Sequence, residues 1–268
     1  MDFNDSTQAI TLKREGAIGF LLLNRPKKKN ALSEKMWAAI PVAVARLNSD
    51  KSVRVIILTS STEGMFSAGA DIAELEVIAA SPERRESNRR AIQNAQKALA
   101  DSPKPTIAQI SGACMGGGCG LALHCDMRFA TDASRYGITP AKLGIVYPLS
   151  DTRQLIQLIG PAKAKSMLFT GRVLKADEAL AIGLVDEIHS EATLAEKTEA
   201  FAKQIAAVSQ FSVRTMKKTI GAILNGQVDE DETSTALFKK AQEGEDAAEG
   251  IRAFLEKRPA NFTWTGDD

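Results

Sequence analysis

Two glycine-bearing segments, residues 66–72 (FSAGADI) and 111–120 (SGACMGGGCG), hold the residue types on which a chemistry can be built. Each offers backbone N–H groups with little side chain around them, and two such donors aimed at one oxygen make an oxyanion hole. Gly116, Gly117 and Gly118 open a run of helical character, so the N–H groups of a helix start face whatever lies beyond the turn. The absence of β-carbons lets a ligand approach closely, although a tight strand-to-helix turn needs glycine dihedrals on its own account. The spacing is not that of the dinucleotide-binding glycine fingerprint. No carboxylate stands beside the three glycines, so the segment offers charge stabilisation without an adjacent proton-transfer group.

The elements that must position these segments alternate in type. Residues 18–23 and 53–58 are aliphatic, β-branched runs of strand length, and Ser33 reads as the N-cap of a helix reaching to about residue 48. Leu32 and Trp37 are spaced as a hydrophobic staple, and Pro41 predicts a kink or a shifted start. Helices are predicted within 72–80 and 82–100, then a break at 102–105, a strand at 106–110, a helix from the glycines to about 126 and a strand at 127–130. Alternating strands and helices predict an α/β fold with parallel pairing. Pro161 and Gly171 bracket one later helix, Gly183 ends another, and 185–188 reads as a short strand. Residues from about 190 to 258 carry apolar and charged residues at helical spacing, which predicts a core over 1–190 followed, over 191–268, by a helical subdomain or an oligomer-forming layer.

The chain has 268 residues with 34 basic against 33 acidic side chains, so its bulk charge suggests neither a nucleic acid nor an anionic membrane as partner. Lys27, Lys28 and Lys29 form the basic run, readable as a solvated turn or as a phosphate clamp. Cys114, Cys119 and Cys125 give neither a disulfide framework nor repeated metal-ligand pairs, and no metal site is expected. The N-terminal residues lack the features of a secretory or transit signal, and no apolar run has the length of a membrane span; a cytoplasmic location is the expectation.

Together with residues 23–33 (LNRPKKKNALS), 112–126 (GACMGGGCGLALHCD), 169–188 (FTGRVLKADEALAIGLVDEI) and 254–262 (FLEKRPANF), the segment FSAGADI resembles the crotonase superfamily, the enoyl-CoA hydratase/isomerase family. The resemblance runs nearly end to end. It implies a crotonase-like ββα-spiral core, an acyl-CoA thioester substrate, lyase or isomerase chemistry through a thioester enolate, and a homotrimer or dimer of trimers. Ala68 and Gly117 match the two positions whose N–H groups hold the thioester oxygen. Residues 25–29, with Arg25, Lys27, Lys28 and Lys29, and residues 68–72, with Ala68, Gly69, Ala70, Asp71 and Ile72, match segments wrapped around coenzyme A. Phe254 and Lys257 match C-terminal positions that reach the nucleotide, often from a neighbouring subunit. Coenzyme A enters only as part of the substrate, and no other cofactor is implied.

The chain departs from the family pattern at the two positions that carry glutamates in hydratases, here Gly120 and Ala141. Hydration needs a base for water and an acid for carbon, and neither residue can hold a proton. Asp151, in the loop that follows, is the first carboxylate to consider as a replacement acid or base. Its other reading is a first-turn acid behind a Ser150 N-cap, where the helix dipole favours the charged form. Tyr147 reads as pocket wall or proton donor, Glu74 and Glu76 as a solvated helix face bordering the acyl site, His124 as a packed helix residue, and His189 as a surface neighbour. The cysteines read as small packing residues. The missing glutamates also open an alternative, a catalytically silent CoA-thioester-binding protein.

Overall fold

The computed structural model of the protein describes residues 8–266. Its main sheet has six strands, β1 (Ile10–Glu15), β2 (Ile18–Leu23), β3 (Val55–Ser60), β5 (Thr106–Ile110), β7 (Met127–Thr131) and β10 (Glu187–His189), hydrogen-bonded in that order. The β1/β2 hairpin is antiparallel and the other pairs are parallel. A smaller sheet aligns β4 (Met65–Ser67), β6 (Ala113–Met115), β8 (Arg135–Gly137) and β9 (Val173–Lys175). The chain repeatedly lays one strand in the large sheet and the next in the small one, then adds helix: β3 and β4 precede α2 (Ile72–Ala79) and α3 (Pro82–Ala100), β5 and β6 precede α4 (Gly117–Leu123), and β7 and β8 precede α5 (Leu149–Thr170). That repeat is the ββα spiral.

Both faces of the large sheet are buried at its centre, which is why β2 and β3 read as nearly continuous apolar runs. Leu21, Leu23, Ile56 and Leu58 join a core shared with α3, α4, α5 and α1 (Glu34–Ser49). Ile18, Phe20, Val55 and Ile57 point the other way, against Leu194, Ala202 and Ala206 of α7 (Glu191–Ala207). The helical run after residue 190 therefore begins inside the packing of the sheet. It continues through α8 (Gln210–Leu224), α9 (Glu232–Glu243) and α10 (Glu245–Leu255), while α6 (Ala176–Ala181) bridges β9 and β10.

Several expectations shift. β1 was not predicted, because Ile10 and Leu12 alternate with polar neighbours and the strand runs out into charged residues. The short strands of the small sheet give no sequence signal at three residues each. Ser33 caps α1 as expected, its Oγ accepting from the Met36 N–H, and the helix runs on through Pro41 without a shifted start. The helix after the glycines ends at Leu123 rather than near 126. Pro161 does start a helical segment, because Gly160 at φ 73° and ψ 164° breaks the path within α5. No described helix is long and apolar enough to cross a membrane.

Gly112 holds the crossing of the two segments that opened the sequence. It sits at φ +69°, and a β-carbon there would fall 1.8 Å from the Gly64 carbonyl oxygen. Backbone cannot step aside as a side-chain end can. Gly112→Ala is expected to lose on the order of 3 kcal/mol or more through combined overpacking and left-handed strain, read as a lowered denaturant midpoint.

Candidate active site

The site is assembled from the turn at 25–31, the 66–72 segment, α3, the start of α4 and the start of α5. Asn30, fully buried at φ 51°, is its keystone. The Asn30 amide nitrogen donates to Ser60 Oγ (2.7 Å) and to the carbonyls of Met65 and Phe66 (3.2 Å each), while its Oδ1 accepts from the Arg25 N–H at 2.7 Å. Ser67 Oγ donates to the Asn30 carbonyl at 2.8 Å and accepts from Gly69 N–H at 3.1 Å. Arg25 donates to Asp71 (2.7 Å) and to the Ala31 carbonyl (3.0 Å), and this partner holds the Asp71 carboxyl below the usual carboxylate range. Arg25 and Asp71 thus fasten the two segments to each other. Lys27, Lys28 and Lys29 remain exposed, as do Ile72, Phe254 and Lys257.

These bonds decide which N–H groups are free. Ala68 N–H donates to the Lys29 carbonyl at 2.9 Å, so the expectation that it binds a ligand oxygen is corrected: that donor is already used. Leu32 N–H donates to the Gly69 carbonyl (2.7 Å) and Asp71 N–H to the Leu32 carbonyl (3.1 Å), a parallel bridge in which Ala70 directs its own N–H to the opposite side. Gly69, at φ +95°, turns the chain between Ala68 and Ala70. Among the described residues the N–H of Ala70 has no recorded partner, and neither does that of Gly117, the first residue of α4. The two segments abut: a β-carbon on Gly69 would lie 3.0 Å from the Met115 carbonyl oxygen. One on Gly117 would meet Trp37 at 2.8 Å and Leu32 at 3.2 Å, so the staple residues form the floor under it.

One turn along α4, three side chains converge over Gly120. A β-carbon on that residue would stand 2.7 Å from Gln96 Nε2, 2.9 Å from Asp151 Oδ1 and 3.4 Å from the Tyr147 hydroxyl. Asp151 is 1% exposed and accepts from Gln96 Nε2 at 2.7 Å. Burial pushes its carboxyl up to about 7, partly opposed by the Gln96 hydrogen bond. The helix-end reading gave the opposite direction. It fails because α5 is capped at Pro148 rather than Ser150, whose Oγ is buried without a partner, and because the Asp151 carboxyl is turned inward, out of water.

Of the other side chains near Asp151, His124 and Tyr147 are both shifted toward their neutral forms. His124 donates from Nδ1 to the Gly120 carbonyl at 2.7 Å, 3.7 Å from Asp151 Oδ1, and burial lowers its basicity. Burial and the Asp151 charge together push the Tyr147 phenol well above its usual value. Glu74 accepts from the Glu34 N–H at 2.8 Å and so tethers α2 to α1, while Glu76 is exposed. His189 pairs with Glu187 at 2.8 Å, at the far edge of the sheet. All three cysteines are buried and unpaired, and Cys119 donates from Sγ to the Cys114 carbonyl at 2.8 Å, as packing residues do. Ala141 lies exposed on a single 3-10 turn, residues 140–143.

Gln96 is the residue that sequence reasoning missed. Its signal was faint but real: Ile92, Ala95 and Leu99 form the inward stripe of α3, and a glutamine shares it. A polar residue at a position that helical spacing assigns to the core needs a partner.

The sequence profile described as Enoyl-CoA hydratase/isomerase matches residues 13–265. The chain belongs to that family. Among its relatives, a crotonyl-CoA hydratase from Syntrophomonas wolfei is 36% identical over 254 residues, 94% of this chain and 97% of the relative. A short-chain-enoyl-CoA hydratase from Clostridium acetobutylicum is 31% identical over 255 residues, 93% and 95% of the two chains. The crystal structure of an enoyl-CoA hydratase/isomerase family protein from Hyphomonas neptunium superposes with a TM-score of 0.95 at 42% identity, over 97% of this chain and all of that one. The enoyl-CoA hydratase from Bacillus anthracis superposes at 0.87 with 32% identity and the same coverage. Membership in the enoyl-CoA hydratase/isomerase family accounts for the spiral of two sheets and the order of the segments around Gly117.

Proposed function

We propose that this chain is an enzyme that binds an acyl-CoA thioester, holds the carbonyl oxygen between the N–H groups of Ala70 and Gly117, and moves one proton on the acyl chain with Asp151. The observation that carries this reading is the Asp151 carboxyl itself. It is buried, poised near neutrality, and held above Gly120, one helical turn from the free Gly117 N–H. When the ionised carboxylate takes a proton from C2, the C–H pair moves into an enolate whose oxygen charge the two N–H groups stabilise. Preorganised donors of this kind lower such a barrier by about 3–4 kcal/mol each. The protonated Asp151 then returns its proton to C2 or to C4.

A single carboxylate suits this shuttle, and so isomerisation, better than hydration. Gly120 supplies no second group, and Ala141 is likewise silent. The names of the relatives supply the substrate class, a short enoyl-CoA. Lys27, Lys28 and Lys29 offer cations for the phosphates, and Phe254 (83% exposed) and Lys257 would complete the nucleotide site from a neighbouring subunit of a homotrimer or dimer of trimers.

The test is solvent-deuterium incorporation at C2 of a short acyl- or enoyl-CoA, read by mass spectrometry, beside hydration of crotonyl-CoA followed by loss of the enoyl absorbance. Exchange is expected to outrun hydration by roughly 10²-fold, the scale of one missing acid–base group. Hydration at the faster of the two rates would overturn the single-carboxylate reading. Thioester binding with no exchange across a panel of acyl groups would leave a CoA-thioester-binding protein without catalysis.

A further inference from the structure

A buried carboxylate that both takes and returns a proton needs a partner that holds it still without adding charge. The molecule shows both kinds of partner. Asp71 faces the guanidinium of Arg25 at 2.7 Å, and its carboxyl lies below the usual carboxylate range. A carboxylate so paired is a poor base toward a carbon-bound proton. Asp151 faces the neutral amide of Gln96 at the same 2.7 Å, and its carboxyl stands at about 7. Burial raises it, and the Gln96 bond draws it part of the way back.

Gln96 lies on the inward stripe of α3 and is 2% exposed, so its amide has no bulk water to turn to. An ionised carboxylate only accepts, and the amide nitrogen is the donor that must face it. The bond is made to Oδ1. That oxygen also lies 3.7 Å from Nδ1 of His124 on α4, but the proton there goes to the Gly120 carbonyl. Among the described residues no hydrogen bond to Oδ2 is recorded. The other groups around the carboxyl point elsewhere. The Tyr147 hydroxyl lies 3.5 Å from the Gly116 carbonyl, and Arg153, two residues along α5, donates to Asn225 at 3.1 Å.

We propose that Gln96 is a positioning residue for the proton transfer: its Nε2 occupies Oδ1 of Asp151 and leaves Oδ2 as the oxygen that takes the C2 proton and returns it. The C2–H electron pair passes into the enolate, and the proton stays on Oδ2 until it goes back to C2 or to C4. The same bond favours the ionised carboxylate, because it is made to the charged form. The inference rests on the reading of Asp151 as the base given above.

The pH profile of C2 exchange, with and without the amide, tests it. In Gln96→Met, of similar volume but without a donor, the rise in rate is expected to move alkaline by about 1–2 pH units, the worth of one hydrogen bond to a charged group. At pH 6 exchange should be about 10- to 100-fold slower than in the wild-type protein, with KM for the thioester unchanged. A side chain that merely fills space would lower the rate equally at every pH, so an inflection that stays in place overturns the inference. A second measurement needs no substrate. In wild-type protein carrying nitrogen-15 in its glutamine side chains, one amide should shift with pH through the inflection of the exchange rate, and in Asp151→Asn that amide should stand still. Absence of such an amide overturns the inference even where Gln96→Met fails to fold. An amide that titrates in a protein that exchanges no thioester at any pH would leave the Gln96–Asp151 bond standing and overturn the reading of Asp151 as a base, and the positioning role with it.

Discussion

Replacing Asp151 by Asn is expected to lower the rate of C2 exchange by 10²- to 10⁴-fold while leaving thioester affinity within a few-fold of wild type. The range is that of a lost general acid–base group. Asn preserves the volume and one oxygen at the Oδ1 position, so the Gln96 Nε2 bond at 2.7 Å persists and the pocket keeps its shape. The wild-type rate should rise with pH through about 7, because the proton-abstracting form is the carboxylate that burial holds back. Burial shifts His124 down and Tyr147 up, both toward their neutral forms and away from that range. A turnover unchanged in Asp151→Asn would remove Asp151 from the mechanism.

The same variant makes a second, opposite measurement. The folded state raises the Asp151 carboxyl from 3.8 to about 7, so it binds the proton more tightly than the unfolded chain does. Folded stability must therefore fall as pH climbs from about 4 to about 7, then level off once both states are ionised. Asn has no charge to bury. Chemical denaturation across that window should show Asp151→Asn gaining on wild type progressively, by on the order of 4 kcal/mol at and above neutrality. Lost activity with gained stability is the signature of a carboxylate kept for function.

The sequence carried the fold wherever one contiguous run of residues sufficed. Residues 18–23 and 106–110 announce strands because both faces of the sheet are buried, and Ser33 announces a helix start because its hydroxyl caps the next turn. The small sheet was silent, since three-residue strands have no periodicity to show. The site was legible in part. Gly117 was visible because glycine at a helix start needs no tertiary knowledge, and Asp151 because few carboxylates lie in the loop that could serve. The choice between Ala68 and Ala70 was not visible. It depends on the Lys29 carbonyl, 39 residues before Ala68, and on the turn that Gly69 makes at φ +95°. The direction of the Asp151 shift was hidden for a related reason, because helix position is local whereas burial is set by α3 and α4 folding over it.

Gly120 then acquires a meaning other than loss. Placing at residue 120 the glutamate that the resemblance to hydratases implies there, Gly120→Glu, is expected to abolish C2 exchange rather than create a hydratase. Gly120 lies within α4 without left-handed backbone, so space alone keeps it a glycine. Its first added carbon would press Gln96 Nε2 at 2.7 Å and Asp151 Oδ1 at 2.9 Å, separations that side chains do not sustain, and would part the bond between them. The added carboxylate would share one apolar pocket with Asp151, and two carboxylates so placed keep a proton between them. Activity should fall at least as far as in Asp151→Asn, with about 1–3 kcal/mol lost to overpacking. Gly120→Ala separates the two causes. It has the same first carbon but no charge and gains about 1 kcal/mol of helix propensity, so its midpoint should stay near wild type while its exchange rate drops. If Gly120→Glu instead hydrated crotonyl-CoA faster than the wild-type chain, Asp151 would be filling a space and the glutamate would be the group this active site lacks. If it does not, glycine at 120 is the condition for bringing the carboxylate in from α5.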